Sequence, residues 1–477
     1  MNLLENQQSA QAIKQQLKAL KAKDIPYNSG RAFALTYVPP TETYDLIKEA
    51  YSEFLTENAL DPTSFPSLGK LESDIITTAL SLMNAPKGAV GTFTFGGTES
   101  IFCALKAARN FALGKKGVKK PNIVLPITAH AAFHKACHYM GIEPKVIGVD
   151  AERFTAKAVD YEKAIDKNTI LFVASAPSYA HGVIDPIEAI AVVARSKNLL
   201  FHVDACVGGM YLPFARRMSY SIPQFDFSVD GVTSISMDFH KYGFAAKGAS
   251  AILFKDAEMR KYQIFSNSSW TGYSIVNPTV MSSKSGGSLA ACWAAMQHFG
   301  FAGYEKMVKS MQEATQSFVN QLNSLGELKV LGTPSMNMVA FTSVSKEINV
   351  FNLTEALKKR GWFVQAQFKN DPSPENIHLS INQNNAHHIN DFVTDLKNAI
   401  EDVRGKSPSR LLNNPITKFM ARNFSTSMFN QMEKMIGAGD GELPDDLSDV
   451  NALLNSLPPK TRDAILIEFM NRLLPQI

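Results

Sequence analysis

Short apolar runs alternate with stretches of helical periodicity through the middle of the chain. Residues 122–126, 145–149, 169–175 and 199–203 are apolar runs of strand length, and 232–236 and 249–254 repeat the pattern. Between them, 130–140 and 186–196 space their apolar residues as a helix with one buried face does. Strand and helix in alternation predict an α/β fold, a mostly parallel sheet with helices on both faces. In such sheets ligands bind beyond the carboxyl ends of the strands.

The flanks differ. Residues 9–23, 43–55 and 68–83 have helical spacing, and 27–40 is a Gly/Pro/aromatic loop. The turn at 91–100 opens a further helix, with Ile101, Ala104, Leu105 and Ala108 on one face. After residue 300, the runs 328–332, 337–343, 362–368 and 377–381 read as strands, and 352–360 and 388–403 as helices. They predict a smaller α+β lobe. Residues 405–477 carry a glycine-rich stretch at 437–441, an acidic run at 442–449 and an amphipathic helix at 460–474. They read as a loosely packed appendage or a dimer arm. The expected division is an N-terminal segment (1–60), a large cofactor-binding domain (61–300), a small C-terminal domain (301–404) and a C-terminal extension (405–477).

Composition narrows the function classes. Of 477 residues, 45% are hydrophobic and 19% charged, as in ordinary globular proteins. The net charge of +4 comes without a dense basic block, which argues against nucleic acid. Cys103, Cys137, Cys206 and Cys292 are far apart in apolar contexts, so buried thiols and no metal site are expected. The N-terminus has no apolar leader, and no run reaches the length of a membrane span. A cytoplasmic protein with reduced cysteines is expected.

The candidate chemistry sits at the predicted strand ends. Ser175 ends one strand, Asp204 follows the next, and Asp238, His240 and Lys241 follow a third; His130 follows the strand at 122–126. Lys241 lies between two apolar strands, where desolvation is expected to lower its pKa and make it a Schiff-base nucleophile. Asp204 can keep a pyridine nitrogen protonated, so that the ring draws electrons. The imidazole of His130 can stack on such a ring. Gly97-Thr98 at a helix start, with His240, can hold a phosphate. Taken singly, each has a plainer reading: a glycine turn, a helix cap, a strand-end carboxylate. Taken together they describe a pyridoxal 5'-phosphate site.

Four segments carry a resemblance. Phe95-Gly-Gly-Thr-Glu-Ser100, Thr128-Ala-His-Ala-Ala-Phe133, His202-Val-Asp-Ala-Cys-Val-Gly-Gly209 and Ser234-Ile-Ser-Met-Asp-Phe-His-Lys-Tyr-Gly243 resemble the group II pyridoxal phosphate-dependent decarboxylases. With Ala176-Pro-Ser-Tyr-Ala-His-Gly-Val-Ile-Asp185, they are most similar to that family's sphingosine-1-phosphate lyase branch. The resemblance spans roughly residues 27–400. It implies fold type I, like aspartate aminotransferase, and a homodimer with a shared site. It assigns Lys241 to the cofactor aldehyde, Asp204 to the ring nitrogen, His130 to the ring face, and Gly97, Thr98 and His240 to the phosphate. Tyr37, Tyr179 and Lys247 match further active-site positions of the lyases. Lys284, in Met281-Ser-Ser-Lys-Ser285, stands where those lyases carry arginine; it keeps the charge and loses the bidentate fork.

The implied activity is retro-aldol cleavage of a phosphorylated long-chain base such as sphingosine 1-phosphate, giving a fatty aldehyde and phosphoethanolamine. Lys247, Tyr179 and His130 are the candidate bases. An L-amino-acid decarboxylase on the same scaffold is the first alternative, and a non-catalytic binding protein is the second. A lyase should show a cationic pocket near Lys247 and Lys284. A decarboxylase should show an arginine facing a carboxylate.

Overall fold

The computed structural model describes residues 3–4, 7–61, 63–406 and 444–473. Its large sheet is built from β1 (Val90–Thr94), β2 (Asn122–Pro126), β3 (Glu143–Ile147), β4 (Thr169–Ser175), β5 (Leu200–Asp204), β6 (Ser234–Asp238) and β7 (Ser250–Phe254). The order is β1-β7-β6-β5-β4-β2-β3. Strand β7 runs antiparallel to both β1 and β6, and the remaining pairs are parallel. β2, β4, β6 and β7 are buried along their whole length; β2, β4 and β7 accordingly read as apolar runs, whereas β6 alternates Ser234, Ser236 and Asp238 with Ile235 and Met237.

The hairpin of β8 (Phe265–Asn267) and β9 (Ile275–Asn277) stands apart from that sheet. A second sheet, entirely antiparallel, takes β10 (Leu328–Val330), β11 (Met338–Ser343), β12 (Gln365–Gln367) and β13 (Asn376–Ser380) in the order β10-β11-β13-β12. Its core joins Val339, Phe341, Ile377 and Leu379 of the sheet to Leu353 and Leu357 of one helix and Phe392 and Leu396 of another.

The expected α/β sheet with a smaller second lobe is what the chain forms, and the differences have physical causes. β3 begins two residues earlier than the apolar run suggests, because Glu143-Pro-Lys lies toward the sheet edge, where polar side chains reach solvent. β1 is hard to read in the sequence because Gly91 breaks its short run and the Gly96-Gly97 turn follows at once; its pairing with β7 makes it a strand. The helix Gly286–Asn323 carries no clear signal in the sequence because it opens on Gly-Gly and is interrupted at Gly300, where φ is 52°. β12 is three residues long, shorter than the apolar run at 362–368.

Within 405–477, the residues at 444–473 are not loosely attached. Leu453, Leu454, Leu457 and Ile465 form a buried cluster against Phe368, and Lys359 pairs with Asp446 at 3.0 Å. The glycine-rich stretch at 437–441 lies outside the described residues.

Three buried histidines make the fold acid-sensitive. Burial lowers His181, His202 and His378 to about 4. Burial raises Asp185 to about 6. As pH falls through the ordinary histidine value of about 6.5, the unfolded chain takes up three protons that the native state does not bind, so stability falls. Asp185 acts in the opposite sense below about 6, binding one proton in the native state first. The net loss at about pH 5 is on the order of a few kcal/mol. A melting temperature that drops steadily from neutral pH to about 5 is the expected result; a flat or rising curve contradicts it.

Candidate active site

Strand register sets the site. Ser175, Asp204 and Ser236 are paired in one row across β4, β5 and β6. Thr94, Ser250 and Asp238 form a second row across β1, β7 and β6. Beyond these ends lies a cavity of about 560 Å³. It gathers Tyr37, Gly97, Thr98, His130, Ser175, Tyr179, Asp204, His240, Lys241 and Lys247, ten of the residues singled out from the sequence, together with Asp238. Residues separated by some 210 positions in the chain thus share one wall.

The helix Gly97–Lys116 begins at the cavity. The first N–H groups of a helix have no partner within it, and the positive end of its dipole favours an anion. A side chain at Gly97 would come within 2.8 Å of both Asp238 Oδ1 and Cys206 Sγ, so the turn must be bare there. Glu99 fixes the turn. Its Oε2 accepts from the Phe95 N–H at 2.7 Å, and its Oε1 accepts from the N–H groups of Val280 and Met281, each at 2.9 Å.

Asp204 Oδ1 accepts from the Cys206 N–H at 3.0 Å and from the Ser236 hydroxyl at 3.1 Å. Its other oxygen has no hydrogen-bond partner among the described residues, in a side chain that lines the cavity. One free carboxylate oxygen is the acceptor that a protonated ring nitrogen requires. Behind it, His202 is held between Ser234 at 2.9 Å and Ser236 at 3.1 Å, which fixes the serine that fixes Asp204.

His130 caps the helix Ala131–Met140, its Nδ1 accepting from the Ala132 N–H at 3.2 Å. That bond uses the ring edge and leaves a face available. His240 bonds through Nδ1 to the Ala249 carbonyl at 2.8 Å, so Nδ1 carries the hydrogen. Its Nε2 can donate to a phosphate only as imidazolium. Burial lowers its pKa, while Asp238, 3.7 Å away, supports the charge.

Lys241 departs from the expectation of a lowered pKa. Burial does act in that direction, but the Asp238 carboxylate, 2.7 Å from Nζ, more than offsets it and holds the ammonium above its ordinary value. Lys247 is the cation whose pKa is lowered, by burial and by the charge of Lys241. Its Nζ stands 4.9 Å over the Tyr37 ring. Tyr179 donates to Gln365 Oε1 at 2.8 Å and stacks on His378 at 4.3 Å. Lys284 does not line the cavity; it is buried near Asn58, which accepts from its backbone N–H at 3.0 Å.

The residue chemistry therefore matches pyridoxal phosphate: an amine, a carboxylate oxygen free for a ring nitrogen, a flat ring, and a bare helix start for the phosphate. The sequence model described as the pyridoxal-dependent decarboxylase conserved domain matches residues 9–344. The chain belongs to the pyridoxal-dependent decarboxylase family. Within the family it is a homologue of the sphingosine-1-phosphate lyases. It is 38% identical to the sphingosine-1-phosphate lyase of Dictyostelium discoideum over 83% of this chain and 73% of that one. The solved sphingosine-1-phosphate lyase of Burkholderia pseudomallei superimposes with a TM-score of 0.82 at 31% identity, covering 91% of this chain and 97% of that one. An L-aspartate/L-glutamate decarboxylase of Pyrococcus horikoshii is 31% identical over 72% of this chain and 86% of its own. A second family model, for an HTH-like C-terminal domain of pyridoxal-dependent enzymes, matches residues 418–472, for which the sequence offered no counterpart.

Sequence reasoning gave no role to Asp238, Glu99, Cys206 or Gln365. Asp238 lies three positions before Lys241, a spacing that could have signalled the pair. Gln365 comes from the small sheet, and only the tertiary fold brings it to Tyr179.

In this decarboxylase-family chain, Lys241→Ala should leave a colourless protein that borohydride no longer labels with the cofactor. Labelling of another lysine in the unaltered protein would remove Lys241 from this role.

Proposed function

We propose that the protein is a pyridoxal phosphate-dependent carbon–carbon lyase acting on a phosphorylated long-chain 2-amino-3-hydroxy compound such as sphingosine 1-phosphate. The observation that carries this reading is the charge on the cavity wall. Lys247 stands at Tyr37, and no arginine is among the described lining residues. A phosphorylated substrate suits a lysine point charge, whereas a substrate carboxylate would favour a bidentate arginine. Lys284 lends no support, since it lies off the cavity. An apolar cavity of about 410 Å³, lined by Tyr44, Ile47, Tyr51 and Phe244, adjoins the first and shares Leu35, Tyr37 and Lys247 with it. It suits a ligand with a hydrocarbon chain.

Bound pyridoxal phosphate supplies an aldehyde for an amine and a ring that accepts the electron pair of a breaking bond. Gly97 and Thr98 would hold its phosphate at the helix start, aided by His240, and Ser175 lines the same wall. His130, which lines the cavity, would offer its face to the ring. Asp204 keeps the ring nitrogen's proton in place. Lys241 would supply the amine that holds the cofactor's aldehyde. A base then takes the 3-hydroxyl proton. Burial holds the Tyr179 phenol protonated, which disfavours it as that base.

Incubated with sphingosine 1-phosphate, the protein should release a fatty aldehyde and phosphoethanolamine. Carbon dioxide from aspartate or glutamate, with no aldehyde from the lipid, would replace this reading with a decarboxylase.

The active form on this reading is a homodimer. Trp270, Tyr273, Val276, Val280 and Met281 are exposed on and beside the β8–β9 hairpin, and Glu99 ties that segment to the phosphate turn. Light scattering should give twice the chain mass; a monomer that is fully active when dilute would overturn the dimer.

A further inference from the structure

The row Thr94–Ser250–Asp238 across β1, β7 and β6 is a chain of hydroxyls ending at a carboxylate. Thr94 Oγ1 lies 2.6 Å from Ser100 Oγ, Ser100 Oγ lies 2.8 Å from Ser250 Oγ, and Ser250 Oγ lies 2.6 Å from Asp238 Oδ1. All four side chains are buried. Each hydroxyl has one hydrogen to give. Ser250 has two acceptors in reach, Asp238 Oδ1 and the Met237 carbonyl at 2.9 Å. If it gave its hydrogen to Met237, two oxygens 2.6 Å apart would face each other without a proton. With Asp238 ionised, Thr94, Ser100 and Ser250 can each donate to the next, and the chain of bonds ends on Oδ1. Asp238 Oδ2 is then left to Lys241 Nζ at 2.7 Å.

We propose that Asp238 is the proton partner of Lys241, accepting the ammonium proton when the lysine turns nucleophile and returning it when the amine is set free. In the forward step one Nζ–H bond breaks, one Oδ2–H bond forms, and the electron pair stays on nitrogen. The reverse step restores both charges. At 2.7 Å the transfer needs no intervening water. A neutral amine beside a neutral acid also costs less in a dry site than two charges do, so filling the cavity moves the balance toward transfer.

The other titratable groups around Lys241 do not offer this. Burial keeps Tyr37 and Cys206 protonated, so neither is an acceptor near neutral pH. Tyr179 is held protonated in the same way. Lys247 is a second cation. His240 reaches Asp238 at 3.7 Å, with its Nδ1 bonded to Ala249. Burial pushes Asp238 up, yet the charges of Lys241 and His240 and the bonds from Lys241 and Ser250 hold it below the usual carboxylate value. The inference rests on Lys241 as the lysine that takes the aldehyde.

The test reads Lys241 in the full-length chain freed of cofactor. Trace acetic anhydride acetylates only the free amine, and digestion with mass spectrometry gives the Lys241 rate relative to exposed Lys309. At about pH 8.5, Asp238→Asn should raise that rate about tenfold or more, because the carboxylate that chiefly offsets burial is then gone. Ser250→Ala, which keeps the pair but removes the hydrogen bond to Oδ1, should raise it about threefold. A folded Asp238→Asn protein, checked by circular dichroism, whose Lys241 reacts no faster than in the unaltered chain overturns the proposal. Should that variant fail to fold, Ser250→Ala decides: a faster rate supports the pairing, and an unchanged rate overturns it. Borohydride labelling of a different lysine in the cofactor-loaded protein would sink the role of Lys241 while leaving this measurement of the pair intact, so the two can fail separately.

Discussion

A charge inside a protein must be paired, and the ammonium of Lys241 is the charge around which this site is arranged. Asp238 meets it at 2.7 Å, and Asp238 in turn is supported by Ser250 from the adjacent strand. Breaking such a pair from one side leaves a bare charge and costs several kcal/mol, far more than the intact pair contributes. That asymmetry explains the polar layer in an otherwise apolar sheet. Ser234 and Ser236 with His202 serve Asp204, and Thr94, Ser100 and Ser250 serve Asp238. Two carboxylates, each with a buried hydroxyl escort, face one cavity.

Much of this arrangement could be read before any coordinates. The apolar runs at 122–126, 169–175 and 199–203 named the central parallel strands because strands buried on both faces leave no polar alternation to mislead. Ser175, Asp204 and Lys241 then stood at strand ends, and the ends of parallel strands converge. What stayed hidden depends on pairing. β1 has too weak a pattern to be seen without β7, and the long helix Gly286–Asn323 begins with two glycines. The sequence points the wrong way on the charge of Lys241 because the flanking strands announce its desolvation, while the spacing of Asp238 three positions before it only hints at a pair. The countercharge had to be seen within hydrogen-bond reach.

The small lobe enters the site at a few atoms. Gln365 on β12 accepts from Tyr179, and His378 on β13 stacks on the same ring. The side chain of Tyr179, on the loop after β4 of the large sheet, therefore takes its orientation from the small sheet. The helices within 444–473 pack on that small lobe through Phe368, one residue past the end of β12. Nothing in the spacing of polar and apolar residues could have joined these parts, since the partners lie nearly two hundred positions apart in the chain.

Glu99 holds the turn at Phe95 with one oxygen and the main chain at Val280 and Met281 with the other. The clamp grips amides, which every residue but proline carries. Over generations the side chains at 280 and 281 are thus free to drift, and the hairpin's outward face can be rewritten to suit a new neighbour. The carboxylate at 99 has no such freedom, because a shorter or neutral side chain there would loosen three N–H groups at once.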